Sequence, residues 1–205
     1  PTNWAWIATR IAVLFALFGE LCKTNVTDAA HPVDVALPTG DFAGPMAAWY
    51  AREMGLPVGN IICSCDENDG FWELLRNGQI NPASNLSMPY DLERLIHAVL
   101  GEVETRRYLS CVNNKRLYQV TAEQLNKLNA GIFPAVISWS RREKIIQGVY
   151  SSSTYILDPG SAMAYGGVQD YRATAGEGRP ALILTERSPI LSADTVAKAM
   201  NISVA

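Results

Sequence analysis

The sequence predicts an α/β fold with three layers and a mostly parallel sheet. Apolar runs at residues 33–37 and 60–65 have the length and composition of buried strands, and a helical pattern at 45–54 separates them. Gly55-Leu-Pro57 closes that helix with two strong stop signals. Because a strand–helix–strand order needs a crossover, we expect the two strands to run parallel and helices to cover the sheet.

The rest of the chain continues this alternation. Helices are predicted at residues 3–23, 45–54, 68–77, 89–100, 121–128, 141–150, 158–173 and 192–200, and strands at 33–37, 60–65 and 180–185. Thr121, Asp158 and Ser192 are predicted helix caps, and Gly148 is the predicted stop of the 141–150 helix. Residues 78–88 and 151–154 are predicted loops. We therefore expect one domain over residues 1–205.

The first helix is the most apolar segment of the chain. A membrane span needs about 20 apolar residues, and a signal peptide needs a basic start. Arg10 interrupts this segment, Gly19-Glu20 follows it and no basic region precedes it, so we predict a core helix that is buried on most sides and no membrane partner. The chain starts without methionine inside this pattern, which indicates a fragment of a longer sequence.

Charge and cysteine content limit the partners. The 17 basic and 20 acidic residues give a net charge of -3, which does not suggest nucleic-acid binding. The four cysteines form no C-x-x-C pair, and with only two histidines no zinc spacing is present. We expect free thiols, a cytoplasmic location and no metal.

A glycine loop follows the first predicted strand. Gly40 and Gly44 allow the backbone to approach an anion, and Pro45 suits the first position of the next helix. The N–H groups at a helix start are unpaired and attract anions, so this segment predicts a phosphate-binding loop. The alternative is a loop that only connects the strand to the helix and binds no ligand. A generic nucleotide-binding domain is a weaker one, since neither G-x-G-x-x-G nor a Walker lysine is present.

Five ordered motifs resemble the second half of threonine synthase, a pyridoxal-phosphate enzyme of the tryptophan-synthase-β-like fold. They are Thr2-Asn3-Trp4 with Arg10, Pro38-Thr-Gly-Asp-Phe-Ala-Gly44, Met54-Gly-Leu-Pro57, Cys63-Ser-Cys-Asp-Glu-Asn-Asp69 with Leu75-Arg-Asn-Gly78, and Tyr90-Asp-Leu-Glu-Arg-Leu95. The resemblance is specific over about residues 1–100. Beyond them, only Asp158-Pro-Gly-Ser-Ala162 and Leu184-Thr-Glu-Arg-Ser-Pro189 look similar. It implies an incomplete fold, equivalent to the C-terminal half of the enzyme.

The resemblance also implies a reaction and a cofactor site. The family converts O-phosphohomoserine to threonine and phosphate, a lyase reaction of amino-acid biosynthesis. Its glycine loop binds the 5′-phosphate of pyridoxal phosphate through backbone amides. The matching residues here are Thr39, with its hydroxyl as an extra donor, Gly40, Asp41, Phe42 and Ala43. Thr185 matches the family residue near the pyridine nitrogen.

The chain departs from the family pattern in ways that affect function. The family's Schiff-base lysine lies upstream of the first matching motif, so no catalytic residue is predicted here. Asp41 replaces asparagine, and a carboxylate about 4 Å from a phosphate charge costs roughly 1 kcal/mol in water. Ala43 replaces a glycine, Gly160 replaces a histidine, and Glu186-Arg187-Ser188 replaces alanine-histidine.

Two functional hypotheses follow from these departures. The first is part of a pyridoxal-phosphate enzyme that is inactive alone and works with the missing N-terminal half or in a homo-oligomer. The second is a non-catalytic anion-binding or structural module descended from the same fold. The expected partner is a small phosphate-bearing ligand; under the second hypothesis it is phosphate or another anion, or the module is structural only.

Overall fold

The computed structural model describes residues 3–40, 42–176, 178–184 and 187–202. The helices are α1 (Trp4–Lys23), α2 (Ala43–Glu53), α3 (Gly70–Asn77), α4 (Leu92–Leu100), α5 (Glu102–Asn113), α6 (Ala122–Asn129), α7 (Trp139–Ser153), α8 (Pro159–Ala175) and α9 (Ala193–Met200). The strands are β1 (Val33–Pro38), β2 (Val58–Cys65), β3 (Gln79–Ile80), β4 (Tyr118–Gln119), β5 (Ile132–Val136) and β6 (Ala181–Ile183). A short 3₁₀ turn, Pro189–Ser192, precedes α9.

Four strands form the main sheet in the order β5-β2-β1-β6, and every pair is parallel. β1 lies inside this sheet, and five of its six residues are buried, as expected for a strand covered on both faces. β3 and β4 form a separate antiparallel pair. The predicted α/β class with a mostly parallel sheet is confirmed.

Helices cover both faces of the sheet. α1 and α2 pack together on one face, over a core that includes Val35, Leu37 and Ile61. α8 packs on the other face, where Ala164 and Val168 contact Ala36 and Ile62. Ligands of parallel α/β sheets bind outside the carboxyl ends of the strands, which directs attention to the ends of β1 and β6.

Helix α1 is buried along one stripe only, which corrects the prediction that it is buried on most sides. The stripe is Ile7, Ile11, Leu14 and Phe18, whereas Trp6 is 62% exposed. The helix is apolar nearly all round, but among the described elements it packs mainly against α2. By length and composition it could cross a membrane, a test that core helices and signal sequences also pass.

Most predicted elements are present, and two predicted caps are confirmed in atomic detail. Thr121 and Gln124 form a reciprocal capping box at the start of α6. Asp158 accepts hydrogen bonds from the backbone of Gly160 and Ser161 at the start of α8. Ser192 occupies the cap position of α9, but its side chain makes no capping hydrogen bond.

Several elements differ from the prediction, and the two-residue strands β3, within the predicted loop 78–88, and β4 were not predicted. β5 was not predicted, because Pro134 argues against a strand; β5 pairs only with β2, so the residue without an N–H lies in an edge strand. α5 was not predicted, since Tyr108 is its one buried residue and its apolar pattern is weak. Gly148 does not end α7, which continues to Ser153; a side chain there would meet nothing within 4 Å.

Candidate functional site

The segment between β1 and α2 forms a tight loop with unusual backbone angles. Gly40 has φ +47° and Phe42 has φ +71°, both in the left-handed region. A non-glycine residue there costs on the order of 1 kcal/mol, and such strain is concentrated at functional sites. α2 begins at Ala43, so Pro45 is its third residue. The prediction that Pro45 is the first residue of this helix is wrong.

Contacts with the neighbouring elements fix this loop. The backbone N–H of Thr39 donates to the Ser64 carbonyl at 2.7 Å, and the N–H of Phe42 donates to the Thr39 carbonyl at 2.6 Å. The Phe42 ring is buried, and its centroid lies 4.7 Å from that of Phe71. This packing holds the strained backbone in place.

Two backbone amides of the loop have no hydrogen-bond partner within the described part of the chain. Among the described residues, none accepts a hydrogen bond from the N–H of Gly40 or Gly44. Gly44 lies in the first turn of the 11-residue helix α2, where the helix dipole adds roughly half a positive charge. Gly40 lines the cavity beside the loop, whereas Gly44 is buried at the start of α2.

The Thr39 hydroxyl, predicted as an extra donor to the phosphate, donates to a carboxylate of the chain. It is buried and donates to Asp69 Oδ2 at 2.8 Å, while Asp69 Oδ1 accepts from the Phe71 backbone N–H at 2.8 Å. Burial raises the pKa of the Asp69 carboxyl, and the Thr39 hydrogen bond opposes this rise. Asp69 thus joins the loop to the start of α3. The sequence pattern suggested only its position at a helix start, because Thr39 is thirty residues away.

The structure brings four of the predicted cofactor-binding residues together: Thr39, Gly40, Phe42 and Ala43. Phe42 and Ala43 direct their side chains into the core, so the loop presents backbone to a ligand. Asp41 and Thr185 lie outside the described residues.

A cavity of about 210 Å³ adjoins the loop at the carboxyl ends of β1 and β6. Its lining residues are Pro38, Gly40, Asp158, Pro159, Gly160, Ser161, Leu184, Arg187 and Ser192. Asp158 Oδ1 accepts from the N–H of Gly160 at 2.8 Å, and Oδ2 accepts from the Ser161 hydroxyl. The predicted loop and the Asp158 motif therefore meet at one site.

The chain's other reactive groups lie elsewhere. None of its lysines lines the cavity; Lys144 and Lys198 line surface grooves of α7, α8 and α9. Burial raises the pKa of the Cys63 and Cys65 thiols, which keeps both neutral and weakly nucleophilic. Among the described residues, no group of three His, Cys, Asp or Glu could hold a metal.

The parallel sheet, with its glycine loop and a cavity at the strand ends, has the fold of one part of the pyridoxal-phosphate enzymes of the tryptophan-synthase-β type. More narrowly, it is the threonine synthase fold. A pyridoxal-phosphate-bound threonine synthase from Brucella melitensis superposes with a TM-score of 0.84 at 20% identity, over 98% of this chain and 44% of that one. Threonine synthase from yeast gives 0.83 at 23% identity, over 97% and 44%.

Curated sequences give the same resemblance. Threonine synthase-like 1 from Homo sapiens is 24% identical over 176 residues, which are 79% of this chain and 24% of that protein. Threonine synthase from Corynebacterium glutamicum is 26% identical over 220 residues, covering 97% of this chain and 44% of that protein. No family model matches. The chain spans less than half the length of these relatives, and the predicted resemblance to threonine synthase is confirmed.

Proposed function

We propose that this chain is the phosphate-binding part of a threonine-synthase-like enzyme that uses pyridoxal 5′-phosphate. The observation that carries the proposal is the pair of unpaired amides, Gly40 and Gly44, in the loop that matches the family's cofactor loop. The proposed reaction converts O-phosphohomoserine and water to threonine and phosphate. It takes place in the cytoplasm, and it needs a catalytic lysine that this chain does not supply.

The loop suits the phosphate end of the cofactor. Gly40 and Gly44 would donate their N–H groups to phosphate oxygens, and the start of α2 would add a favourable dipole. When bound, pyridoxal phosphate supplies an electron sink for bond breaking next to the amino group of the substrate. The cavity between Gly40 and Leu184 offers room beside the loop for the rest of the ligand.

Thr39 and Asp69 keep the loop after β1 rigid. Their hydrogen bond ties the end of β1 to the start of α3, and the Phe42–Phe71 contact adds a second tie. Because the loop is fixed before binding, little conformational entropy is lost when its amides meet an anion. Thr39 therefore acts through the loop geometry, with its hydroxyl proton held by Asp69.

A lysine-bearing partner is part of this proposal. None of the chain's lysines lines the cavity, while α1 presents exposed apolar side chains such as Trp6 and Phe15. Such a surface is typical of a face that packs against further polypeptide. The partner would be the remaining part of the threonine synthase fold, in which the family's lysine lies.

A non-catalytic anion-binding module is the second candidate. The observation that favours it is the cavity lining itself, which contains no lysine and has Gly160 where the family has histidine. This candidate keeps the loop as an anion site without any reaction.

Equilibrium dialysis against pyridoxal phosphate and pyridoxal tests the proposal. We expect the full chain to bind pyridoxal phosphate at least ten times more tightly than pyridoxal, because only the former carries the phosphate. Borohydride treatment followed by mass spectrometry should show no cofactor attached to any lysine of the chain. Equal binding of the two compounds would contradict the phosphate-loop role, and a lysine adduct would contradict the need for a partner.

A further inference from the structure

The polar groups that line the cavity divide into two sets. Asp158 and the Ser161 hydroxyl are hydrogen-bonded to each other, and Asp158 also accepts from the backbone of α8. The Gly40 N–H, the Ser192 hydroxyl and the Arg187 guanidinium make no hydrogen bond with any described residue. All three unpaired groups can donate hydrogen bonds, so the cavity is suited to an acceptor-rich ligand.

The charge of the lining also favours an anion. Asp158 is the single carboxylate among the described lining residues, and its own helix start surrounds it with donors. Arg187 is the single cation there, and no described carboxylate pairs with it. Many other arginines are ion-paired within the chain: Arg94, Arg106, Arg107, Arg141, Arg142 and Arg179.

The position of Arg187 is defined on its C-terminal side. The Ser188 hydroxyl accepts from the Ile190 N–H at 3.4 Å, and the Ser188 carbonyl accepts from the Leu191 N–H at 3.0 Å. The 3₁₀ turn that follows leads to Ser192 in the same cavity wall. The turn thus places Arg187 and Ser192, five residues apart, on the lining of one cavity.

We propose that Arg187 is a specificity-determining residue that recognises a phosphate monoester in this cavity, with Ser192 as a weaker second donor. The inference rests on the proposed function, because the Gly40 amide belongs to both. Arginine is suited to this role, since its planar guanidinium can donate two parallel hydrogen bonds to a phosphate group. The phosphate could belong to the cofactor or to a phosphorylated substrate.

Calorimetric titration of the full chain tests this proposal with three variants. Arg187→Gln removes the cation, Ser192→Ala removes the hydroxyl, and Arg116→Gln is a matched control, because Arg116 is exposed and outside the cavity. The ligands are pyridoxal phosphate, pyridoxal and O-phosphohomoserine. Ser192→Ala should leave α9 intact, since the hydroxyl does not cap it.

We expect Arg187→Gln to weaken phosphate-ester binding about tenfold at low salt, as for loss of a charge-assisted hydrogen bond. Ser192→Ala should weaken it about threefold, while Arg116→Gln stays within about twofold. Pyridoxal should bind Arg187→Gln and the wild type equally. A loss confined to pyridoxal phosphate assigns Arg187 to the cofactor, and a loss confined to O-phosphohomoserine assigns it to the substrate.

Equal affinities of Arg187→Gln and Arg116→Gln for both phosphate esters would overturn the inference and leave the proposed function standing. If the wild-type chain binds neither phosphate ester more tightly than pyridoxal, the proposed function fails and takes this inference with it.

Discussion

The loop after β1 and helix α1 differ in how much of their apolar surface the described residues bury. In the loop, Thr39 and Phe42 are nearly fully buried and are held by Asp69 and Phe71. In α1, Trp6 and Phe15 stay 62% and 39% exposed, although the helix is among the most apolar segments. The difference teaches that the contacts that hold the loop are completed within the described chain, whereas the outer face of α1 is left without such contacts there.

The sharpest way to break this comparison is to truncate side chains on the two faces of α1. Leu14→Ala removes a fully buried side chain and should lower the free energy of unfolding by about 3 kcal/mol. Phe15→Ala, its neighbour on the exposed face, should cost less than about 1 kcal/mol. Urea denaturation measures both. Equal losses would show that the outer face is as well packed as the inner one.

The second test concerns the contacts that hold the loop. Asp69→Ala removes the cap of α3 and leaves the buried Thr39 hydroxyl without its acceptor, which should cost about 2 kcal/mol of unfolding free energy. Asp69→Asn keeps an oxygen acceptor and should cost less than about 1 kcal/mol. Denaturation of both variants tests this, and indistinguishable stabilities would contradict the role of Asp69.

The third test concerns the backbone of the loop. Gly40→Ala places a side chain at φ +47° and should destabilise the chain by about 1 kcal/mol. Gly148→Ala is the matched control, since Gly148 lies within α7 and has open space around it; it should stabilise the chain by about 0.5–1 kcal/mol. A stabilising Gly40→Ala variant in thermal denaturation would show that the left-handed backbone is not required.

The smallest expected effect is the pH dependence due to Asp69. Burial raises its pKa in the folded chain, so the folded state keeps this proton to a higher pH than the unfolded state does. The protonated Asp69 carboxyl therefore contributes its full stabilisation below the pKa of about 4 that Asp69 has in the unfolded chain. This contribution is lost as the pH rises through the pKa of Asp69 in the folded chain. Unfolding free energies of the wild type relative to Asp69→Asn should fall over that window. A rise would mean that the Thr39 and Phe71 hydrogen bonds outweigh burial.

The sequence predicted the parts of this fold that depend on local signals. β1, the glycine loop and α2 follow one another, and the caps at Thr121 and Asp158 use residues within three positions. Asp69 as the acceptor for Thr39 could not be predicted, because a tertiary contact brings them together. The burial of α1 was predicted wrongly for the same reason, since its apolar residues do not reveal how many neighbours cover them.

The most direct test of the central claim is an NMR titration of the full chain with pyridoxal phosphate, following the backbone amide signals of Gly40 and Gly44. The account predicts that these two signals shift more than those of Gly131 and Gly176, which lie outside the loop after β1. It also predicts that inorganic phosphate moves them in the same direction. If pyridoxal phosphate binds while the amide signals of Gly40 and Gly44 do not shift, the loop after β1 is not the phosphate-binding site.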